Sequence, residues 1–563
     1  MKDWAAGGNW RSTGLLQQLA NSGLMNQATI KITKEVNTLK KILFISLAVV
    51  FALSVGLIGC EGEEPEPENI ITIAVAGPMD DVQGQHHWAG AKMARDEIND
   101  AGGVDVGGTM YDVVLVEVDT EEATEGEDGS TGTARLTAVI DDVDLVVGGF
   151  RTEVVTVYRE VAMDAGVLFL NCGAATGALQ FSVVTDYEDY KYWFKATPYN
   201  ETFLVKSLIR MTATIGGTLQ GTLVAVEGMN PAYVQDDYKV SNAVGGKLRV
   251  ELLMENAAWC AGMIPAAQYY LTVAGFNITG TTLVSPTASD ISTELGAIEA
   301  RKPHIIFTAF SGSVGAVYST TRVSLGIPAV TIGINVPGQS INHWANTGGD
   351  CVGEIMLDTF AVNMSITDTT LDWFNAYLAE TGDYPVYTAA IYDAINQVCT
   401  AIEAVDSLDP DVLIPQLEDS ETTGVGANTA YYPMPAIEII PDTLYALNET
   451  QVLALYDLGS YGESYDQADW MVGWYDPGSG PIQQPHIAHD TVYGPGYQTG
   501  IGSQWQLFGL EGHKVGVWPM NLPGPSIDQY GDWDFQYDGT MPLYLPIGVG
   551  EPTGGMLNIP WPP

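Results

Sequence analysis

From residue 70 onward, short continuous runs of aliphatic residues alternate with stretches whose apolar positions recur every three or four residues. Ile71 to Ala76, Val113 to Val118, Leu145 to Val147 and Val167 to Leu170 are runs of the first kind. Continuous runs, unlike alternating ones, suit strands covered on both faces, as in a parallel sheet. Between them Trp88, Ala91, Ala94 and Ile98 fall at helical spacing, and Ala101-Gly102-Gly103 closes that helix. Two further helices are predicted over Thr131 to Ile140 and Glu153 to Ala165. The resulting β-α-β-α-β-α-β order is that of an open doubly wound sheet.

The pattern then repeats. A helix from Glu201 to Thr214 leads to a predicted strand, Leu223 to Val226. Thr282 to Val284, Ile305 to Ala309 and Ala329 to Ile332 are further strands, separated by helices over Ile291 to Ala300 and Val314 to Leu325. The stretch from Asn230 to Gly275 is longer than one crossover needs and reads as holding an insertion. Leu371 to Val405 is helical again. The C-terminal stretch is rich in Gly, Pro, Trp and Tyr and predicts short strands and long loops wrapped on the rest. The fold class expected is α/β: two doubly wound parallel-sheet lobes joined by a multi-crossing hinge, with an irregular C-terminal region. The spans expected are 70–198 for the first lobe, 199–334 for the second, 335–420 for a return to the first, and 421–563 for a return to the second with its extension.

Composition supports this picture. At 563 residues the chain exceeds one ordinary core, and 46% hydrophobic with 10% aromatic residues belongs to a folded protein. The net charge of -47 repels phosphate backbones, so no nucleic-acid partner is expected. That charge reads as a solvated surface and says nothing for a cationic ligand.

The first 59 residues read as a secretory signal: Lys40 and Lys41 precede an uncharged apolar run from Ile42 to Ile58, then Gly59 and Cys60. Residues Met1 to Leu24 read as an over-long start, with Met25 as initiator. Leu57-Ile58-Gly59-Cys60 resembles the lipobox of bacterial-type lipoproteins, which implies lipidation of Cys60. The acidic, Pro-containing segment to residue 69 is a tether holding the rest outside the cytoplasm. Cys172, Cys260, Cys351 and Cys399 fit one or two disulfides or buried free thiols equally well.

No nucleophile elbow, phosphate-cradling loop, dinucleotide fingerprint or H-E-x-x-H is present, so no enzyme and no cofactor are expected. His486-Ile-Ala-His489 and His86-His87 lack further ligands and read as structural rather than metal-binding. A doubly wound sheet instead binds solutes where its strands end. Those loops are Gly77 to Gly84, Gly148 to Thr152 and Asn171 to Thr176 in the first lobe, and Glu227 to Pro231, Phe310 to Ser313 and Gly333 to Pro337 in the second. Their Gly and small hydroxyl residues allow close backbone approach and favour anionic groups at helix starts. Thr152 and Thr176 also read as ordinary helix caps.

Gly77-Pro-Met, Gly84, Trp88-Ala-Gly-Ala, Glu97-Ile-Asn and Gly102-Gly103 are similar to the opening of type I periplasmic binding proteins of the branched-chain amino-acid class. Ala174-Ala-Thr176, Phe194-Lys-Ala-Thr-Pro198, Ser289-Asp-Ile-Ser, Tyr387, Tyr392-Asp-Ala and Gln504-Trp505 fit the same order, and the match runs loosely to Pro519. The resemblance implies the capture subunit of an ABC importer, which hands its solute to a permease driven by paired ATPases. It implies ligand contacts from Gln83, Arg151, Thr152, Ala174 and Thr176 in the first lobe and Tyr233, Ser311 and Asn335 in the second. Neutral Asn335 stands where amino-acid binders often carry a carboxylate, and Arg151 where a small hydroxyl is common. Both departures point to an anionic or neutral polar ligand, although Glu227 offers a replacement charge. A sensor module of the same fold, signalling through a receptor, is the alternative.

Overall fold

In the computed structural model, residues 69–124, 126–231, 234–432, 488–492, 497–498, 500–508 and 511–518 are described, with short strand pieces at 475–476, 480–481, 536–537, 543–545 and 557–559. Cys60, Tyr233 and His486 lie outside them.

The first sheet has six strands, β1 (Ile70–Gly77), β2 (Val104–Val106), β3 (Thr109–Asp119), β4 (Leu145–Gly148), β5 (Leu168–Asn171) and β6 (Trp193–Lys195), in the order β2-β3-β1-β4-β5-β6. All neighbours run parallel except the β2–β3 hairpin. The second sheet takes β7 (Arg249–Glu255), β8 (Asn277–Val284), β9 (Ile305–Phe310), β10 (Val330–Asn335) and β11 (Ile355–Asp358) in the order β11-β10-β9-β7-β8. These are parallel, and the antiparallel hairpin Ile501–Phe508 and Glu511–Trp518 extends the β11 edge. The continuous apolar runs are buried throughout: Ile71, Ile73, Leu145, Val146, Ile305 to Phe307 and Ile332 are 0 to 1% exposed. Helices cover both faces, which is why the runs do not alternate.

Two elements depart from expectation. Leu223 to Val226 is no strand but part of a helix, Glu201–Met229. Leu208, Met211, Ile215, Leu219, Leu223 and Val226 are buried along one face at three- to four-residue spacing. That continuous face outweighs the cost of Gly216, Gly217 and Gly221 in the helix interior, about 1 kcal/mol each relative to Ala. The missing strand is β7, inside the stretch read as an insertion. Glu251 and Glu255 break its apolar run, yet both are fully buried because partners neutralise them: Arg301 pairs with Glu251, and backbone N–H groups bind Glu255.

The return to the first lobe also begins later than residue 335. β11 continues the second sheet, and the helices Ile391–Val405 and Pro410–Glu418 then pack on the first. Residues 428–432 and 488–492 follow beside β6, since Lys195 donates its backbone N–H to the His489 carbonyl and Tyr432 pairs with Asp490. The second sheet is rejoined only at Ile501.

Candidate functional site

Each sheet has one point where neighbouring strands are followed by crossovers to opposite sides, so their ends splay and leave a crevice. In the first sheet that point lies between β1 and β4, and in the second between β7 and β9. The two crevices face each other across one pocket with an empty volume of about 730 Å³, partly open to solvent. Phe150, Arg151, Thr152 and Glu153 follow β4; Gly173 and Ala175 follow β5; Pro198 and Tyr199 follow β6. From the second lobe come Ala257 and Trp259 after β7, Pro286 after β8, Ser311 after β9, Ile334 and Val336 around the end of β10, and Leu357 to Thr359 from β11. Tyr387 reaches in from the connecting segment: its N–H donates to Gln339 Oε1 at 3.0 Å and its hydroxyl to the Gly173 carbonyl at 3.1 Å.

Close approach of the β4 and β5 loops requires glycine. A Cβ on Gly173 would sit 1.9 Å from the Gly149 carbonyl oxygen, and Gly148 holds φ +113 with the Ala76 oxygen 2.0 Å from where its Cβ would be.

Of the residues expected at the site, Arg151, Thr152 and Ser311 line the pocket. Thr176 stands behind Thr152, their hydroxyls 2.8 Å apart, and neither side chain caps its helix. Gln83 is buried and crosses the cleft, donating from Nε2 to the Ser311 carbonyl at 2.6 Å. Ala174 is buried under the loop, where its carbonyl accepts from Asn171 at 2.8 Å and from the Lys195 ammonium. Asn335 lies off the pocket, its amide oxygen accepting the Gly338 N–H at 3.3 Å. Glu227 supplies no charge there: its carboxylate accepts the backbone N–H groups of Val240 and Ser241 at the far end of the long helix.

Sequence reading missed Trp259 because β7 was missed, and Gln339, Asp358 and Tyr387 because they enter from segments without a strand-to-helix signature. Asp358 carries a signal only in three dimensions. Lys514, from the C-terminal hairpin, lies 2.6 Å from its Oδ2, and both side chains are fully buried. Burial lowers the Lys514 pKa, and Asp358 opposes that shift.

The buried acids Glu122 and Glu255 lie just behind the pocket wall. Glu122 accepts the N–H groups of Phe150 at 3.2 Å and Arg151 at 2.6 Å, and the Thr120 hydroxyl at 2.7 Å. Loss of solvent pushes its carboxyl up to about 7 against those donors. Glu255 accepts the N–H groups of Ser311 at 2.7 Å and Gly312 at 2.6 Å together with the Ser311 hydroxyl, and burial likewise raises it.

Of the histidines singled out in the sequence, the three among the described residues, His86, His87 and His489, have structural partners. His87 donates from Nε2 to the Cys172 carbonyl at 3.2 Å and is driven down to about 4 by burial. His86 contacts Tyr377 and Asp383, and His489 stacks on Phe194 with ring centroids 3.9 Å apart. The four thiols expected to be bridged or free are free and buried.

Residues 71–434 match the model of the periplasmic binding protein family. The chain belongs to the periplasmic binding protein family. No curated protein matches it. Among solved structures, this binding protein is similar to a solute binding protein of an ABC transporter from Rhodopseudomonas palustris BisB5 in complex with 3,4-dihydroxy benzoic acid (15% identity, 80% of this chain and 97% of that one, TM-score 0.53). It is also similar to an ABC transporter substrate-binding protein from Sphaerobacter thermophilus (12%, 80% and 97%, TM-score 0.52). A third is LivJ of the branched-chain amino acid transporter of Streptococcus pneumoniae in complex with isoleucine (14%, 80% and 99%, TM-score 0.51). At these identities the likeness is one of fold: two doubly wound sheets of the type I arrangement.

Proposed function

We propose that this chain is the solute-capturing subunit of an ABC importer, lipidated at Cys60 and tethered outside the cytoplasm, which delivers a small amino acid, carboxylate or amide to a permease. The pocket between the two switch points carries the reading, because it joins both lobes at the strand ends where open α/β sheets take ligands. The bridge from Gln83 to the Ser311 carbonyl supports it further: the lobes stand closed on one another, as a captured solute requires. Arg151, Thr152 and Ser311 are the contacts proposed to touch the solute directly, with Gln83 and Thr176 bracing them.

The test is a thermal-shift panel of isoleucine, 3,4-dihydroxybenzoate, small carboxylates, amides and urea. A bound solute at a hundred times its Kd stabilises the native state by about 2.7 kcal/mol and raises the melting temperature. Turnover of a panel member, or no shift with any of them, would overturn the reading. For the anchor, Cys60→Ser is expected to move the protein from the membrane to the soluble fraction. Retention on the membrane would remove the lipid from the proposal.

A further inference from the structure

On the reading that the interlobe pocket captures a solute, the hydrogen bond from Gln83 Nε2 to the Ser311 carbonyl latches one lobe to the other, and its acceptor is aimed from behind. Ser311 and Gly312 begin the turn between β9 and the helix Val314–Ser324. A peptide unit is planar and trans, so its N–H and C=O point in opposite directions. The unit joining Ser311 to Gly312 is bonded at both ends. Its N–H, on Gly312, donates to Glu255 Oε1 at 2.6 Å, and its C=O, on Ser311, accepts from Gln83 at 2.6 Å. Holding that N–H toward β7 therefore turns the carbonyl the other way, toward the first lobe.

Glu255 makes that hold firm. It ends β7 and is fully buried. Its Oε1 also accepts the Ser311 N–H at 2.7 Å, and its Oε2 accepts the Ser311 hydroxyl at 2.7 Å. Three donors on two consecutive residues restrain rotation of the peptide plane. Gly312 lets the turn sit close to the loop after β8, since a Cβ there would lie 2.3 Å from the Pro286 carbonyl oxygen. Charge adds to aim, because an N–H that donates to a carboxylate polarises its peptide and makes the carbonyl a stronger acceptor. The facing partner is fixed as well. Gln83 is 2% exposed in the first turn of the helix Val82–Asp100, and its own carbonyl accepts the Thr388 hydroxyl at 3.0 Å.

We infer that Glu255 is a positioning residue for closure: it grips one end of the Ser311–Gly312 peptide so that the other end meets Gln83, and so retains the solute from behind the pocket wall.

The experiment is a double-mutant cycle on the purified protein. The titrant is whichever of isoleucine, 3,4-dihydroxybenzoate, propionate, propionamide and urea raises its melting temperature, and affinity is read by calorimetry. Gln83→Ala and Glu255→Met are each expected to weaken binding about fivefold, the worth of one net hydrogen bond. Because both break the same latch, the double variant is expected to lose no more than the weaker-binding single variant, whereas independent effects would multiply to about 25-fold. Glu255→Gln, whose amide oxygen can still accept both N–H groups, is expected to recover most of the loss. If Glu255→Met does not fold, Glu255→Asp, whose carboxylate ends one methylene short of the turn, takes its place in the cycle. Losses that multiply, or a Glu255 variant that binds as tightly as the natural protein in place of the expected loss, overturn the inference and leave solute capture standing. If no titrant binds, solute capture falls and takes the inference with it.

Discussion

Glu122 is a buried acid whose charge the fold opposes, so its titration is readable as stability. Its folded value of about 7 lies above the ordinary 4.5. Between those values the folded chain holds a proton that the unfolded chain has released. Raising the pH through that window therefore draws the equilibrium toward unfolding. Glu122→Gln removes this slope. Relative to the natural protein, the variant is expected to gain on the order of 3 kcal/mol between pH 4.5 and pH 8. Urea midpoints at the two pH values check it, and equal shifts for both proteins would contradict the buried environment. Lys514 is the opposite case, a buried cation paired with Asp358. Lys514→Met strands Asp358 beside the pocket and is expected to cost about 3–5 kcal/mol, most of it recovered by adding Asp358→Asn. Denaturant unfolding of the single and double variants measures it. Arg151, Thr152 and Ser311 were legible as pocket residues because each follows a recognisable strand. Asp358 was not, because its meaning depends on an ammonium 156 residues away.

At the level of elements, short strands and helix periods were read within a few residues wherever the pattern was local. Strand β4 was expected from Leu145 to Val147 and runs Leu145–Gly148; the helix expected from Glu153 to Ala165 runs Thr152–Ala165. The Glu201–Met229 helix was cut short because its glycines imitate a terminus, whereas the apolar stripe that sustains it is completed by β7 and the helix Ala258–Val273 packed against it. A pair of substitutions separates helix from strand. Val224 is 53% exposed and Leu223 3%. Val224→Lys is expected to change stability by no more than about 0.5 kcal/mol, and Leu223→Lys to unfold the protein or cost more than about 4 kcal/mol. A continuous buried strand would make both severe, as thermal melts would reveal. Gly173→Ala is a further element-scale test. Its methyl forces the β4 and β5 loops apart, with a loss of several degrees in Tm and of solute binding.

For the whole molecule, the closed arrangement rests in part on the bridge that Gln83 makes across the cleft, between the helix Val82–Asp100 and the β9 loop. Gln83→Ala is expected to weaken solute affinity about fivefold, the worth of one net hydrogen bond, with little change in the melting of the solute-free protein. Calorimetry and melting curves together check this, and unchanged affinity would mean that closure does not use the bridge. The C-terminal hairpin belongs to this scale as well. It caps the β11 edge and buries Trp505 and Trp518, so this part of the C-terminal stretch completes the second sheet and supplies Lys514 to Asp358 of the pocket wall.

The chain's local patterns by themselves determined the doubly wound character of both lobes and most of the loops that meet at the pocket, because strand runs, helix periods and glycine turns are written in neighbouring residues. Only tertiary structure decided that the long helix continues, that the two glutamates of β7 are fully buried, and that internal carboxylates take the N–H groups of Phe150, Arg151, Ser311 and Gly312 beside the cleft. Those outcomes depend on charges and donors distant in sequence, whose partnership changes the energetic cost of burial from prohibitive to acceptable.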